Sequence, residues 1–444
     1  MEISLSDSFS YSKLLKFTFP SIIMMVFTSV YSVVDGFFVS NIVGKTAFAA
    51  VNLIFPFIMV LGGMGAMFGV GGSALVAKTL GEGETQKARR YFTMMIYVML
   101  VVGVVFTVLG IVFMSPVSYL FGATEEMIDE CVIYGRTVLI FNTAMLAQYT
   151  FQSYLIVAEK PKLGLFVTVL AGVTNMVLDF LFMSVFELGI SGAALATGLS
   201  QCVGGIIPAI WFLSKRNKSA LRFAKTKIEI KPMLKACTNG ASEMLSSVSG
   251  SVTGILYNLQ LIKYAGEDGV AAYGVVMYAA YVFIAIFMGF CTGSSPIMGY
   301  QFGAQNRREM KNLFKKSVII LGTGGTLLTV AGVLLARPIA LVFVSYDEAL
   351  LELTVRAFSI CALPFVIMSI NMYASSLFTA LNNGGVSAAI SFLRALIFPV
   401  ISIVVLPVFF ELDGVWFSLV GSEILSFIFS IVFLSVYRKR YEYC

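Results

Sequence analysis

Residues 215–235, KRNKSALRFAKTKIEIKPMLK, divide this chain of 444 residues into two halves. The stretch carries eight Lys and Arg residues, whereas long apolar runs dominate the sequence on either side. The first six runs lie at about 14–43, 47–78, 89–114, 128–158, 162–184 and 190–214, and the second six at about 236–262, 271–301, 312–336, 350–380, 384–408 and 414–437. Since a membrane-spanning helix needs about 20 apolar residues, the sequence predicts an all-α integral membrane protein with twelve transmembrane helices.

The composition excludes several classes of protein. Hydrophobic residues make up 58% of the chain and charged residues 12%, whereas soluble domains are about half apolar and a quarter charged. A soluble enzyme, a nucleic-acid-binding protein and a disulfide-rich secreted domain are therefore not expected. The chain has six cysteines without a CxxC motif, and it has no histidine. Organic cofactors are not expected, nor is a metal ion other than a possible Na⁺. Because histidine is absent, any proton or cation chemistry must use carboxylates.

The distribution of positive charge predicts the topology. With the N-terminus in the cytoplasm, 24 of the 30 Lys and Arg residues fall on the cytoplasmic side of twelve spans and three fall outside. Such an asymmetry is typical of correctly placed spans, because cytoplasmic loops are enriched in Lys and Arg. Both termini are therefore predicted to be cytoplasmic.

The two halves resemble each other in sequence. Gly71-Gly72-Ser73 and Leu80-Gly81 recur, at an offset of 222, as Gly293-Ser294-Ser295 and Phe302-Gly303, and Phe186-Glu187-Leu188 recurs at 224 as Phe410-Glu411-Leu412. An even number of spans per half makes the repeats parallel, related by an axis along the membrane normal. We therefore expect an N-lobe over 1–214, a basic cytoplasmic linker over 215–235 and a C-lobe over 236–444, with a binding site between the lobes.

Two aspartates within the predicted spans lie at similar depth. At 1.5 Å per residue, Asp35 lies about 28 Å along the first span from Lys16, and Asp179 about 26 Å along the fifth from Lys162. Asn175 shares a helix face with Asp179, and Thr197 enters the sixth span at a similar level. Ionisable residues inside spans are costly and mark functional sites. Carboxylate, amide and hydroxyl oxygens suit a hard cation, and two close carboxylates suit a shared proton.

Other interpretations of these polar residues remain open. In one alternative, Asp35 and Asp179 each pair with a separate partner such as Arg136. In another, Asn175 and Thr197 only join neighbouring helices by hydrogen bonds. Glu243, near the start of the seventh span, is either a second coupling site or a side chain that reaches the membrane surface. Glu423 and Arg394 are interpreted as a buried structural pair.

Several motifs resemble those of the multidrug and toxic compound extrusion (MATE) transporters, in particular the bacterial MepA-like and DinF-like members. They are DGFFVS (35–40), Asn175-x-x-x-Asp179, GAALAT (192–197), GYQFGA (299–304) and Pro20, which lies fifteen residues before Asp35. The resemblance extends over all twelve spans.

The resemblance implies a V-shaped pair of six-helix lobes that exports amphiphilic, often cationic compounds against an inward flow of H⁺ or Na⁺. It implies that Asp35, Asn175, Asp179 and Thr197 form an N-lobe cation site and that Pro20 kinks the first helix. Glu243 matches a glutamate of the seventh helix in one branch of the family. A monomer is expected in the bacterial inner membrane, with membrane lipids as its surroundings.

Two other functions remain as alternatives. A flippase for lipids or lipid-linked oligosaccharides has a similar two-lobed fold, but flippases tend to line their cavity with several cationic residues. Only Arg136, Arg356 and Arg394 lie within the spans here. A membrane-embedded enzyme would need a catalytic constellation, and the sequence shows none, so we expect a transporter.

Overall fold

The computed structural model describes residues 3–444, and within them all side chains except those of Val33, Phe37, Ser40, Asn41, Lys45 and Phe48. Ser40, which ends the 35–40 motif, and Lys45, counted among the outside charges, thus fall outside the described side chains. Helices make up 87% of the chain, and the described residues form no β-strand. The fold is therefore all-α, as the sequence predicts.

The N-terminal half contains eight helices and three short π-helical turns. The helices are α1 (Tyr11–Phe38), α2 (Lys45–Ala66), α3 (Gly72–Gly81), α4 (Thr85–Leu120), α5 (Ile128–Ile140), α6 (Asn142–Val157), α7 (Pro161–Asp179) and α8 (Gly189–Leu213). The π turns are Val39–Val43, Met67–Gly71 and Phe180–Val185.

The C-terminal half contains six helices and one π-helical turn. The helices are α9 (Ile230–Gly303), α10 (Arg307–Val344), α11 (Glu348–Ala362), α12 (Phe365–Ala380), α13 (Gly384–Phe392) and α14 (Phe398–Tyr441), and the π turn is Leu393–Ile397. Because α9 begins at Ile230, the last six residues of the predicted linker are helical, and only 215–229 of the linker lack regular structure.

Helices α9 and α14 each fold back on themselves. Their non-helical residues are Gly266, with φ 59°, and Glu411, with φ 49°. Tyr257 stacks on Tyr273 across the first reversal, with ring centroids 5.3 Å apart. Each helix therefore supplies two crossing segments.

Two further spans are broken rather than folded back. Helices α5 and α6 are interrupted at Phe141, and α11 and α12 meet at an angle of 47°. Among the described residues, eight helical stretches are by themselves long and apolar enough to span a membrane. Adding the two reversals and the two broken spans gives the twelve crossings predicted from the sequence.

The backbone repeats between the halves as the sequence does. Left-handed backbone conformations, rare for residues with a side chain, occur at equivalent positions spaced 222 to 224 residues apart: Gly44 and Gly266, Gly83 and Gln305, Glu159 and Asn382, Glu187 and Glu411. These residues lie in the connections between spans, so corresponding helices end in the same way. The molecule is therefore built of two pseudo-symmetric six-helix lobes.

The lobes are joined closely where α3 crosses the end of α9. A Cβ at Gly81 would lie 2.0 Å from the carbonyl oxygen of Tyr300, and a Cβ at Gly303 would lie 2.0 Å from that of Lys78. The two contacts are related by the same offset of 222 residues. Small residues let helix backbones approach this closely in membrane proteins, so the glycine motifs found in the sequence serve as packing points between the lobes.

A segment that precedes α1, residues 3–10 and here called the N-terminal strap, lies across the same end of the molecule. Its Leu5 and Phe9 are buried and belong to the hydrophobic core of the C-terminal half. The Leu5 amide donates to the carboxylate of Glu159 (2.7 Å), and the Phe9 amide donates to that of Glu309 (2.8 Å). The strap thus bonds to both halves and helps to hold this end closed.

Candidate cation site in the N-terminal half

Helix α7, which packs against both α1 and α8, brings together the elements that carry the predicted site. Asp35 lies in the last turn of α1, and Asp179 is the last residue of α7. Both helices continue directly into π turns, Val39–Val43 and Phe180–Val185, and these turns touch each other. The backbone beside both aspartates is therefore distorted. Because π turns within α-helices occur frequently at functional sites, this distortion supports a functional role for the two aspartates.

The two aspartates face each other. Asp179 is fully buried, Asn175 one turn earlier is 2% exposed, and Asp35 is half-buried. The carboxyl groups of Asp35 and Asp179 lie close enough to interact directly. Both carboxylate oxygens of Asp179, Oδ1 of Asp35 and Oδ1 of Asn175 have no hydrogen-bond partner among the described residues. Buried polar atoms nearly always have a partner, so this cluster of oxygens suits a cation or a shared proton.

Thr197 lies on α8, the neighbour of α7, and is half-buried. Its backbone carbonyl accepts a hydrogen bond from the Ser200 hydroxyl (2.7 Å). Among the described side chains, its own hydroxyl makes no hydrogen bond to either aspartate. The structure thus brings Asp35, Asn175 and Asp179 together and places Thr197 on the adjoining helix.

Three tyrosines near the aspartates were missed by the sequence analysis. Tyr134 of α5 is buried within electrostatic range of both carboxylates, and Tyr31 lies one turn before Asp35 on α1. Tyr278, in the second arm of α9, also lies within range of Asp35. The spacing of Tyr31 and Asp35, four residues apart on one helix face, is the one signal that could have identified any of them.

The alternative in which the aspartates pair separately with Arg136 is wrong. The Arg136 Nε donates to the backbone carbonyl of Ile111 (3.1 Å) on the exposed side of α5. Among the described side chains, no Lys or Arg forms an ion pair with Asp35 or Asp179. The two carboxylates therefore have each other as charged neighbours.

Pro20 lies inside α1, which continues through it from Tyr11 to Phe38. Proline removes one backbone hydrogen bond of the helix and lowers its resistance to bending. The next turn of α1 is packed against α9, where a Cβ at Gly289 would lie 2.4 Å from the Cα of Ile22. The weakest point of α1 is thus in contact with the opposite half of the molecule.

Glu243 lies on the first arm of α9 and is half-buried. Its carboxylate makes no hydrogen bond or ion pair with a described residue. A second coupling site at Glu243 therefore stays a prediction, supported by its lack of a structural partner.

Arg394 and Glu423 form the buried pair expected from the sequence. The Arg394 Nε and the Glu423 Oε1 are 2.9 Å apart, and the Asn371 amide donates to Oε2 of the same carboxylate (2.8 Å). Glu423 is buried, and Arg394 lies in the π turn Leu393–Ile397. Asn371 of α12 is therefore the third member of a structural cluster.

Twelve crossings in two pseudo-symmetric lobes, with a buried carboxylate pair in one of them, define a class of two-lobed membrane transporters. The chain belongs to the MatE family, whose model matches residues 20–181 and 244–408. One matched segment lies in each half of the chain. Because the family is one of transporters, the expectation that this protein is not an enzyme is confirmed.

Known relatives and solved structures agree with this membership. The chain is 22% identical over 432 residues to the multidrug export protein MepA of Staphylococcus aureus strain N315, covering 97% of this chain and 94% of the relative. A structure described as the outward-facing conformation of a multidrug resistance MATE family transporter is 23% identical with a TM-score of 0.91, and a MATE structure in the straight conformation is 22% identical with a TM-score of 0.91. Each structural match covers 98% of both chains.

Proposed function

We propose that this protein is a secondary active multidrug efflux antiporter that exports amphiphilic and cationic compounds while H⁺ or Na⁺ moves inward. The observation that carries the proposal is the pair of carboxylates, Asp35 and Asp179, which lie together in the N-terminal half without a cationic partner among the described side chains. The relatives named as multidrug export proteins support the export of varied compounds.

The pair is suited to coupling because its two charges repel each other. One of two neighbouring carboxylates binds a proton more readily than an isolated carboxylate does, and the same oxygens are the ligands that Na⁺, as a hard cation, prefers. Either cation would remove the repulsion and allow α1 and α7 to come closer. The π turns beside both aspartates and Pro20 in α1 are the points at which these helices bend most easily.

The boundaries and orientation follow from the charge pattern. We assign the N-lobe to 1–214, the linker to 215–235 and the C-lobe to 236–444, with both termini in the cytoplasm and the protein in the inner membrane. The 24 positive charges of one side support this orientation, because cytoplasmic loops are enriched in Lys and Arg.

Lipophilic cations are the expected substrates. Glu243 and the aspartate pair are carboxylates without cationic partners, and desolvating a cation beside them costs less than desolvating an anion. The flippase alternative needs free cations within the spans. Arg136 is held by Ile111, and Arg356 pairs with Asp413. Arg394 pairs with Glu423, so efflux is favoured.

Dye efflux from vesicles tests the proposal. Right-side-out membrane vesicles would be loaded with a cationic dye, and an inward pH gradient or an inward sodium gradient would be imposed separately. Transport should depend on one of the two gradients and be absent in vesicles without the protein. Transport of a lipid-linked glycan, but of no dye, would replace the proposal by the flippase alternative.

A further inference from the structure

A basic crevice lies between the two halves at the end of the molecule that the N-terminal strap covers. It has a volume of about 290 Å³ and is formed by α3 and α4 of one half and the first turns of α9 from the other. Four lysines line it, two from each half: Lys78, Lys87, Lys231 and Lys235. Glu82 is the one carboxylate among its lining residues.

The lysines of the N-terminal half have acidic partners, but those of α9 do not. Lys78 pairs with Glu82 at 3.2 Å, and Lys87 pairs with Glu84 at 2.6 Å. The side-chain ammonium groups of Lys231 and Lys235 make no hydrogen bond or ion pair with a described residue. Lys78 and Lys235 line the same crevice, and Glu82 is already paired with Lys78. The crevice therefore has a surplus of positive charge at the junction of the lobes.

The equivalent place in the other repeat shows how this charge can be balanced. An offset of 222 maps Lys235 onto Lys13 and Lys87 onto Glu309. Lys13 forms an ion pair with Asp7 of the N-terminal strap at 2.7 Å, and Glu309 accepts hydrogen bonds from the Phe9 amide and from Asn312, both at 2.8 Å. That position is neutralised by the N-terminal strap, whereas no carboxylate forms an ion pair with Lys231 or Lys235 among the residues that line the basic crevice.

The border of the crevice is apolar. Ile228, Ile230 and Leu234, next to the two unpaired lysines, are 63%, 64% and 54% exposed. Lysines beside exposed apolar residues at the end of membrane-spanning helices are suited to the surface of a bilayer. Basic pockets between transmembrane helices bind the head groups of anionic lipids.

We propose that the basic crevice binds the phosphate group of an anionic phospholipid, with Lys231 and Lys235 as its main ligands. The acyl chains lie along Ile230 and Leu234, and the phosphate lies between the lobes. Because both halves supply lysines, the bound lipid holds them together at this end and favours the arrangement in which it is closed. An anionic lipid is therefore a regulator of the transporter at a site separate from the aspartate pair.

Lipid binding to the purified full-length protein tests this site. The probe is phosphatidylglycerol in detergent micelles, compared with phosphatidylcholine of the same acyl chains and with inorganic phosphate alone, and the readout is retained lipid in native mass spectrometry. The double variant K231Q/K235Q should bind phosphatidylglycerol about tenfold more weakly. The control K225Q/K227Q removes the same charge from exposed lysines of the linker that do not line the crevice, and it should bind as the parent does.

The outcomes separate a built site from general attraction. Selective loss of phosphatidylglycerol in K231Q/K235Q, with folding verified by an unchanged melting temperature without lipid, supports the proposal. Equal weakening in both double variants would mean that any positive charge suffices and would overturn it. Parent-like binding by K231Q/K235Q would also overturn it. Competition by inorganic phosphate at concentrations matched to the lipid would identify a soluble anion, not a lipid, as the occupant.

Discussion

Asp35 and Asp179 are the residues on which coupling depends, because they are close in space and have no cationic neighbour among the described side chains. Asp35→Asn removes one charge and with it the repulsion that a proton or Na⁺ would relieve. We expect gradient-driven dye efflux to fall at least about tenfold, while dye still binds to the purified protein. Efflux in vesicles and equilibrium dye binding are the two measurements.

Asp129→Asn is a matched control, because Asp129 is an exposed carboxylate in the first turn of α5. It should leave both efflux and binding unchanged. If Asp35→Asn transports normally while Glu243→Gln is inactive, the coupling site lies in the C-terminal half and the assignment of the aspartate pair is wrong.

Glu423 should contribute to stability rather than to coupling, since it is buried and bonded to both Arg394 and Asn371. Removing one member of a buried ion pair leaves the other charge without compensation and costs about 3–5 kcal/mol. Glu423→Ala should therefore lower the melting temperature of the purified protein clearly. Glu352→Ala breaks an ion pair with Arg337 whose side chains are 55% and 57% exposed, so we expect about 0–1 kcal/mol. Equal losses in the two variants would contradict the role of burial.

Depth along a helix can be predicted from a sequence, but rotation about the helix axis cannot. The fixed rise per residue put Asp35 and Asp179 at one level, and the structure places them together. Tyr134 and Asn371 also lie at predictable depths, yet which neighbour they face depends on how the helices are turned and tilted. Those rotations are set by side-chain packing over the whole lobe, which one sequence does not reveal.

At the scale of elements, the crossing of α3 and α9 depends on glycine. A Cβ at Gly303 would lie 2.0 Å from the carbonyl oxygen of Lys78, and neither group is a flexible side chain end. Gly303→Ala must therefore push two backbones apart, at a cost of about 1–3 kcal/mol. We expect a lower melting temperature and faster exchange of amide hydrogens at the end of α9.

Gly322 provides the comparison for this prediction. It lies inside α10, and apart from the adjoining backbone of that helix no atom lies within 4 Å of where its Cβ would be. Gly322→Ala should be neutral or stabilising by up to about 1 kcal/mol, because alanine favours the helix. A melting temperature that falls equally in both variants would show that the close crossing of α3 and α9 contributes no more to stability than an open helix position does.

Spans were predictable as elements, but the distortions within them were not. The apolar runs predict the twelve crossings because each must be long enough to cross the bilayer. The π turns Val39–Val43 and Phe180–Val185 leave no comparable trace, since they change the backbone by one residue without changing composition. The start of α9 at Ile230 was missed because the charges of the linker continue into its first turns.

At the scale of the whole molecule, the contacts between the two repeats define the conformation of this structure. The two glycine contacts of α3 and α9, the N-terminal strap and the basic crevice all lie at one end, so the halves are joined there. Asp35 lies at the far end of α1 from the strap. A transporter whose lobes are joined at this end has a cavity that opens at the opposite end. The charge pattern predicts that the joined end is cytoplasmic, so we expect the cavity to open to the outside of the cell.

Accessibility of introduced cysteines measures that orientation. Lys218→Cys lies in the exposed linker and Thr124→Cys in the exposed connection between α4 and α5, at opposite ends of α4. The half-buried native cysteines, Cys202, Cys237 and Cys444, would first be replaced by serine. In intact cells, a membrane-impermeant maleimide should label Thr124→Cys and should not label Lys218→Cys.

Permeabilised cells supply the control, because both cysteines must then react if both are exposed. The expected orientation in the membrane rests on the asymmetry of 24 positive charges on one side against three on the other. Cytoplasmic loops are enriched in Lys and Arg, so the opposite orientation would place most of the basic loops on the disfavoured side. A missed span in the first half would exchange the two results. Labelling of Lys218→Cys in intact cells, with Thr124→Cys protected, would therefore invert the topology, place the joined end of the lobes outside the cell and make this conformation open to the cytoplasm.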